Sequence, residues 1–494
     1  MVRPFNEFSY SLEDAAELLS AEKVNFKDLS FSGLTHVDSE IQPGDIFLAF
    51  PGAKVHGAKY IASAQERGAV AVLTDPAGAV SSTELPTLVV KDAREAGAVL
   101  ASSFYRSPIR DMQSIGITGT NGKTTVTTLL FQLFTAVGRE TGLIGTVETR
   151  IGDEVIKSTR TTPEAADLQS LAASMRERHM RHLVMEVSSH SLDLKRMIGS
   201  HFSIAGFTNL SQDHLDFHKD MESYFTAKSK LFTNEYADLG FVNIDDAYGV
   251  RLYESNSIPM IAYSRSNSKA TWHYTQITPI ESGVEFTMRG KDGILIESRT
   301  PMHGGFNLDN LLLSVAIAYE CGIDPLEIAA IIPSMVGAPG RLEAVNLGQN
   351  FKALVDYAHS PDAVINVLGA VREFTSGRVI GVLGCGGDRD ASKRPLMGKS
   401  LVDMCDIAIM TSDNPRSESP ESILRQMAGT VEISQPSRII EDRAEAISYA
   451  VSLAVSGDTV VVLGKGHESG QEINGVISPF DDRIHLAQEI EARK

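Results

Sequence analysis

The sequence predicts an α/β protein built largely on parallel sheets. Three observations carry that prediction. Apolar, strand-like runs alternate with helical patterns along nearly the whole chain, the signature of sheets covered by helices on both faces. A glycine-rich run, Gly119-Thr120-Asn121-Gly122-Lys123-Thr124-Thr125, lies between a strand-like and a helix-like segment, the context of a phosphate-binding loop. The length of 494 residues exceeds what one core supports and suggests two to four domains.

In chain order, residues 45–50 and 69–73 read as strands and 60–67 as a helix, a small α/β unit ending near residue 105. Residues 114–117 form the strand that enters the glycine-rich loop, and a helix leaves it through Val126, Leu129, Leu130 and Leu133. Residues 182–187 and 204–208 continue the strand pattern. A Pro/Gly break at Gly337-Ala338-Pro339-Gly340-Arg341 marks a linker. Beyond it, residues 353–356, 379–384, 407–410 and 459–464 read as strands, each followed by a polar cluster. In open α/β sheets ligands bind beyond the carboxyl ends of strands, so those clusters are the candidate sites.

Composition excludes several function classes. A hydrophobic fraction of 43% and a charged fraction of 22% describe an ordinary soluble protein. A net charge of −18 argues against nucleic-acid binding as the main task. Cys321, Cys385 and Cys405 are too few and too scattered for a disulfide framework or a cysteine zinc site. No apolar run reaches membrane-spanning length, and the first residues lack the apolar core of a signal peptide. The expected setting is cytoplasmic, without membrane or nucleic-acid partners.

The loop implies chemistry on a nucleoside triphosphate. Gly119 and Gly122 let backbone approach phosphate oxygens, and the helix that follows presents free N–H groups and a positive dipole end. Lys123 adds a charge between the outer phosphates, and Thr124 a hydroxyl for Mg²⁺. One departure from the strict pattern is Ile117, where a glycine is usual five residues before Gly122. Glu186, at a strand end in Glu186-Val187-Ser188-Ser189-His190, suits the metal-holding acid of such sites. The run from Asn209 to His218 places Asp213, His214, Asp216 and His218 within six residues. It lacks the glutamate of a zinc-protease motif, so a hard-cation site shared with Glu186 is the simpler reading. Thr161-Thr162-Pro163-Glu164 can cap a helix, accept a polar substrate, or do both. Asn307 and Asn310 open an apolar helix and suit the polar edge of a purine. In the last third, Arg389 and Arg416 are the side chains suited to gripping two carboxylates, and Glu468 to holding an ammonium group.

Together these runs resemble the Mur ligases, which use ATP to add amino acids to the UDP-N-acetylmuramoyl peptide of peptidoglycan. Residues 119–125, 186–190, 209–218, 305–310, 340–341 and 356–361 look like family motifs in family order. The resemblance implies three domains: 1–108 for the uridine nucleotide, 109–338 for ATP on a mostly parallel sheet, and 339–494, Rossmann-like, for the incoming amino acid. It implies that Asn307, Asn310, Arg341 and Asp356 join residues 119–125 at ATP, and that Ser39, Thr161, Thr162, Ser188 and Arg196 meet the UDP-linked substrate. Lys228 falls at the family's carbamylated lysine, which would make Thr124, Glu186, His214 and Lys228 (as carbamate) the Mg²⁺ ligands. Lys123, Glu186, His214, Lys228 and His359 are then the catalytic set. Asp413-Asn414-Pro415-Arg416, with Arg389, Gly464 and Glu468, resembles the pocket of members that take meso-2,6-diaminopimelate. Two positions depart from the family: Glu40 stands where an arginine is usual, and Leu194 where a glutamine is frequent.

The implied reaction is acyl activation by a monomeric enzyme acting on small molecules. A D-glutamyl carboxylate attacks the γ-phosphoryl group of ATP, and the resulting acyl phosphate is attacked by an amine. Rival readings are the same ligation with lysine, a folylpolyglutamate-synthetase-like ligation, and a regulatory ATPase switch.

Overall fold

The computed structural model describes residues 2–52, 55–80, 83–255, 257–280 and 283–493. Three main sheets follow one another along the chain, each with apolar clusters on both faces. In the first, Gly33–Thr35, Asp45–Ala49, Ala71–Thr74 and Thr87–Val89 run parallel, and Glu22–Val24 closes one edge antiparallel to Thr87–Val89. The helix expected at 60–67 is a 3₁₀ turn, Gly57–Tyr60, running into Ile61–Glu66.

The central sheet has eleven strands. At its middle lies β1 (Gln113–Thr118), which feeds the glycine-rich loop and then α1 (Lys123–Ala136). Its neighbours β2 (His182–Glu186) and β3 (Phe202–Phe207) both run parallel to it. Glu186 pairs with Ile117 and Phe207 with Thr118. That register delivers the segments after β1, β2 and β3 to one edge. Helix α2 (Met221–Ser229) carries Lys228 there, and α3 (Gly305–Glu320) packs along α1 over the other face. Antiparallel strands, unforeseen from the sequence, extend both ends of the sheet: Glu148–Ile151 with Glu154–Lys157, and Trp272–Ile280 with Gly283–Arg289 and Leu295–Thr300.

The third sheet is built on β4 (Lys352–Asp356), β5 (Val379–Cys385), β6 (Ile407–Ser412) and β7 (Thr459–Leu463), parallel in the spatial order β4-β7-β5-β6. Asp356 pairs with Leu463 and Cys385 with Ser412, so all four polar clusters emerge on one side. A hairpin, β8 (Gly470–Ile473) and β9 (Val476–Pro479), follows β7. Beneath the strand ends, Arg443 and Asp482 form a fully buried ion pair at 2.6 Å. Arg443 also donates to Ser412 O at 3.1 Å and Leu463 O at 3.0 Å, the last residues of β6 and β7. No helix among the described residues is long and apolar enough to cross a membrane.

Breaking this pair strands a buried charge. Asp482→Ala is expected to lower stability by about 3 kcal/mol, read as a shift of the urea midpoint. Replacing both members with leucine should cost less than the single change, and an equal or larger loss would refute the argument.

Candidate active site

The glycine-rich loop is braced by the segment after β3. Asn209 Oδ1 accepts from Asn121 N at 3.0 Å, and Thr208 Oγ1 donates to Asn121 O at 2.6 Å. Gly122, at φ +88°, caps α1 in a conformation that favours glycine. A Cβ there would run into Asn310 Oδ1, so this asparagine of α3 lies against the loop. Asn307, also buried, donates instead to His303 O at 2.9 Å. Lys123 folds back to donate to Gly119 O at 3.0 Å and Thr120 O at 2.9 Å. Thr124 and Thr125 are buried in the first turn of α1. Glu186 is fully buried and accepts from Thr124 Oγ1 at 3.1 Å, Thr146 N at 2.7 Å and Thr146 Oγ1 at 3.0 Å.

Of the residues expected at the metal, Thr124 and Glu186 touch each other at 3.1 Å. Lys228 is buried and its Nζ donates to Gly119 O at 2.7 Å. His214, at φ +56°, turns its ring toward His190 (4.9 Å between centroids) and Asp213 (3.6 Å). Among the described residues, no three His, Cys, Asp or Glu side chains gather to hold a metal. Thr124 and Glu186 remain as a hard-oxygen pair at the loop. Burial lowers the pKa of Lys123, and burial with the Lys123 charge lowers that of Lys228 well below its ordinary value.

On the opposite side of β2, Thr162 Oγ1 donates to Glu186 O at 2.9 Å and accepts from Ser188 N at 3.0 Å. Thr146 Oγ1 lies 3.0 Å from Thr161 Oγ1. Arg196 reaches Thr162 O at 3.3 Å and pairs with Glu164 at 3.0 Å. Glu164 also takes Arg94 at 2.7 Å and Arg160. Three guanidinium groups around one carboxylate leave this shelf net positive, suited to an anionic substrate. Sequence reasoning passed over Thr146 and Arg94, and named Glu164 only as the end of the Thr161–Glu164 run. Ser39 sits apart, on the 3₁₀ turn Asp38–Glu40, outside the crevice lined by His36, Arg94, Glu164 and Arg196.

A cleft of about 320 Å³ opens between the central and third sheets. The central sheet contributes His190, Asp213, His214 and Asp216, and the third contributes Tyr357, His359, Arg389, Lys393, Asp413, Asn414, Arg416, Gly464 and Glu468, among others. Every residue expected to bind the amino acid lines it except Pro415. Arg416 is held at φ +53°. Its N–H donates to Glu472 O at 3.0 Å, its carbonyl accepts from Asn474 N at 2.7 Å, and its Nη1 donates to Gly387 O at 2.6 Å. The hairpin β8–β9 thus fixes this arginine's backbone. Lys465, which the sequence did not single out, lies fully buried beneath Asn414 and Glu468.

His359 Nδ1 faces Tyr357 O at 2.9 Å and Nε2 faces Asp213 at 3.7 Å. Nε2 is thus beyond hydrogen-bond reach of Asp213 and lines the cleft with the rest of the ring. Asp356 accepts from Leu342 N and Ala358 N, each at 2.7 Å, and Arg341 stacks on Tyr357 at 4.6 Å. Asp356 therefore fastens the linker to β4 and faces neighbouring backbone.

Three family models match the chain: "Mur ligase family, catalytic domain" over residues 31–105, "Mur ligase middle domain" over 117–318, and "Mur ligase, glutamate ligase domain" over 340–466. A Streptomyces avermitilis protein named UDP-N-acetylmuramoyl-L-alanyl-D-glutamate--2,6-diaminopimelate ligase is 49% identical over 94% of this chain and 93% of its own. The Streptomyces coelicolor protein of the same name is 48% identical over 93% and 92%. A solved structure of an enzyme with that name superposes with a TM-score of 0.67 at 30% identity, covering 97% of this chain and 98% of its own.

Burial lowers the His190 imidazole to about 4 and that of His214 to about 3, from an ordinary 6.5. As pH falls from 6.5 toward 4 the unfolded chain takes up protons that the folded rings refuse. The stability tied to these rings is therefore present above 6.5 and lost below it. Urea midpoints should drop between pH 7 and 4.5, and less steeply for His190→Gln. An identical slope in that variant would contradict the assignment.

Proposed function

The chain belongs to the Mur ligase family, and on that premise we propose that it joins meso-2,6-diaminopimelate to the D-glutamyl carboxylate of UDP-MurNAc-L-Ala-D-Glu at the expense of ATP. The observation that carries the reading is the composition of the cleft. Arg389, Arg416 and Glu468 share one cavity with Asp213 and His214 of the loop-bearing sheet. Two guanidinium groups and an acid match an amino acid bearing a second carboxylate, which lysine lacks. Burying that carboxylate without a partner is costly, so Arg416 also selects.

Residues 119–125 seat the triphosphate, with Asn310 beside the loop and Arg341 on the linker side. The D-glutamyl carboxylate attacks the γ-phosphorus, the bond to ADP breaks, and an acyl phosphate forms. The neutral amine of diaminopimelate then attacks the acyl carbon, the C–O bond to phosphate breaks, and the amine proton passes to solvent or a nearby base. Lys123 offsets charge on the transferring group. Thr124 and Glu186 would hold a Mg²⁺, and that ion would supply further charge neutralisation. Lys228, pushed toward its neutral amine, is in the state that adds CO₂ to become a carbamate. Thr161, Thr162, Ser188 and Arg196 form the shelf for the UDP-linked substrate, with Ser39 as a contact from the first sheet. The free thiols of Cys321, Cys385 and Cys405 support work in the cytoplasm, and we assign a monomer.

Arg416→Ala is expected to raise the KM for diaminopimelate on the order of 100-fold while ATP still binds. ATP turnover should require both the UDP-dipeptide and the diamino acid, with lysine a poor substitute. Undiminished use of diaminopimelate by the variant, or turnover without an acceptor, would overturn the proposal.

A further inference from the structure

Lys465 begins the turn after β7 with its side chain fully buried and outside the cleft lining. Its three donors all find acceptors. Nζ donates to Asn414 Oδ1 at 3.0 Å, Glu468 Oε2 at 3.0 Å and Gly470 O at 2.7 Å, which saturates an ammonium group. The acceptors belong to three different pieces of the site: the loop after β6, the loop after β7, and the base of the β8–β9 hairpin.

The geometry leaves Asn414 one orientation. Its Oδ1 accepts from Lys465 and from Glu472 N at 3.0 Å, so its Nδ2 must turn to Glu468 Oε2, at 2.7 Å. Glu468 Oε2 then holds two donors. Among the described residues no donor reaches Glu468 Oε1, and Glu468 lines the cleft. Asp413 lies 3.9 Å from Lys465, so one buried cation faces two acids. Burial opposes ionisation of Glu468, but the Lys465 charge and the hydrogen bonds from Lys465 and Asn414 prevail and lower its pKa. The group facing the cleft is thus a carboxylate with one oxygen committed and one free.

We propose that Lys465 is a positioning residue for the incoming amino acid. It locks the Asn414 amide and one oxygen of Glu468, and thereby presents the other oxygen to an ammonium group of the acceptor. The inference rests on the reaction proposed above, since it needs an acceptor carrying a second ammonium. Lys465 does not touch that acceptor. It acts through Glu468 and Asn414.

Steady-state kinetics on the full chain tests this. The acceptor used by the wild type is established first. Turnover with lysine instead of diaminopimelate overturns the substrate reading alone, and the Lys465 test then uses lysine, which also brings a second ammonium. For Lys465→Met, the KM for the accepted amino acid should rise on the order of tenfold or more. kcat and the KM values for ATP and the UDP-dipeptide should move far less. Glu468→Gln should be costly in the wild type and nearly silent in Lys465→Met, because the carboxylate is no longer aimed. A KM for the amino acid that stays put, a uniform loss across all three substrates, or additive effects of the two changes would overturn the proposal. Should Lys465→Met fail to fold, Asn414→Asp tests the same network. It keeps an acceptor for Lys465 and sets a like charge against Glu468, so the same KM should rise; an unchanged KM refutes the network.

Discussion

The two halves of the cleft meet at one carboxylate. Asp213, at the loop-bearing edge of the central sheet, lies 3.7 Å from both His359 and Lys393 of the third sheet and 3.6 Å from His214 of its own loop. Burial alone would push this acid up. The neighbouring His359, His214 and Lys393 win and hold it well below the ordinary carboxylate range. The site depends on this joint, because the phosphate loop stands on one side of it and the arginine-bearing loops on the other. Its contacts are longer than the ion pairs inside each unit, such as Arg443–Asp482 at 2.6 Å or Arg394–Glu418 at 2.7 Å. A charge-assisted bond weakens with distance, and the two units are also joined by apolar contacts, His303 against Phe374 and Phe306 against the third sheet's core.

Much of the fold was legible because parallel strands are buried on both faces and so read as unbroken apolar runs. The limits expected for the strands at 182–187, 353–356 and 379–384 differ from β2, β4 and β5 by one residue. The antiparallel edges were not legible. Glu154–Lys157 is largely exposed, and most of Trp272–Ile280 faces solvent, so neither shows a continuous apolar signal. The phosphate loop could be read locally, since its glycines, lysine and threonines are consecutive. The partners that aim its chemistry could not. Thr146 is 40 residues from Glu186, and Lys393 meets Asp213 only because two sheets face each other. The ligand role of His214 and Lys228 came from the family resemblance and not from local spacing; His214 has a left-handed backbone and its ring lies near His190 and Asp213.

Leu194, one of the two departures expected from the resemblance, sits beside ion pairs that cross between the first and central sheets. Leu194 ends the short helix Ser189–Asp193, and the next residue, Lys195 at φ +57°, reaches Asp92 at 2.6 Å and Glu95 at 2.5 Å. Arg94, from the same helix as Glu95, answers by pairing with Glu164. These half-exposed pairs add little stability. Their effect is on alignment: they set the N-terminal sheet against the shelf formed by Thr161, Thr162 and Ser188, whatever residue occupies position 194.

Burial separates two kinds of cation in the C-terminal unit. Arg443 and Lys465 are fully enclosed. Arg443 draws on Ser412 O and Leu463 O, and Lys465 on Asn414, Glu468 and Gly470 O. Both act from beneath, and a buried cation with every donor satisfied has no freedom to turn toward a ligand. Arg416 stands above them on a loop so fixed, Arg389 on the loop after β5 whose Gly386 O is held by buried Arg394, and both line the cleft. The cations of this unit are thus graded by depth: the inner ones hold loops still, and the outer ones are left facing the cavity.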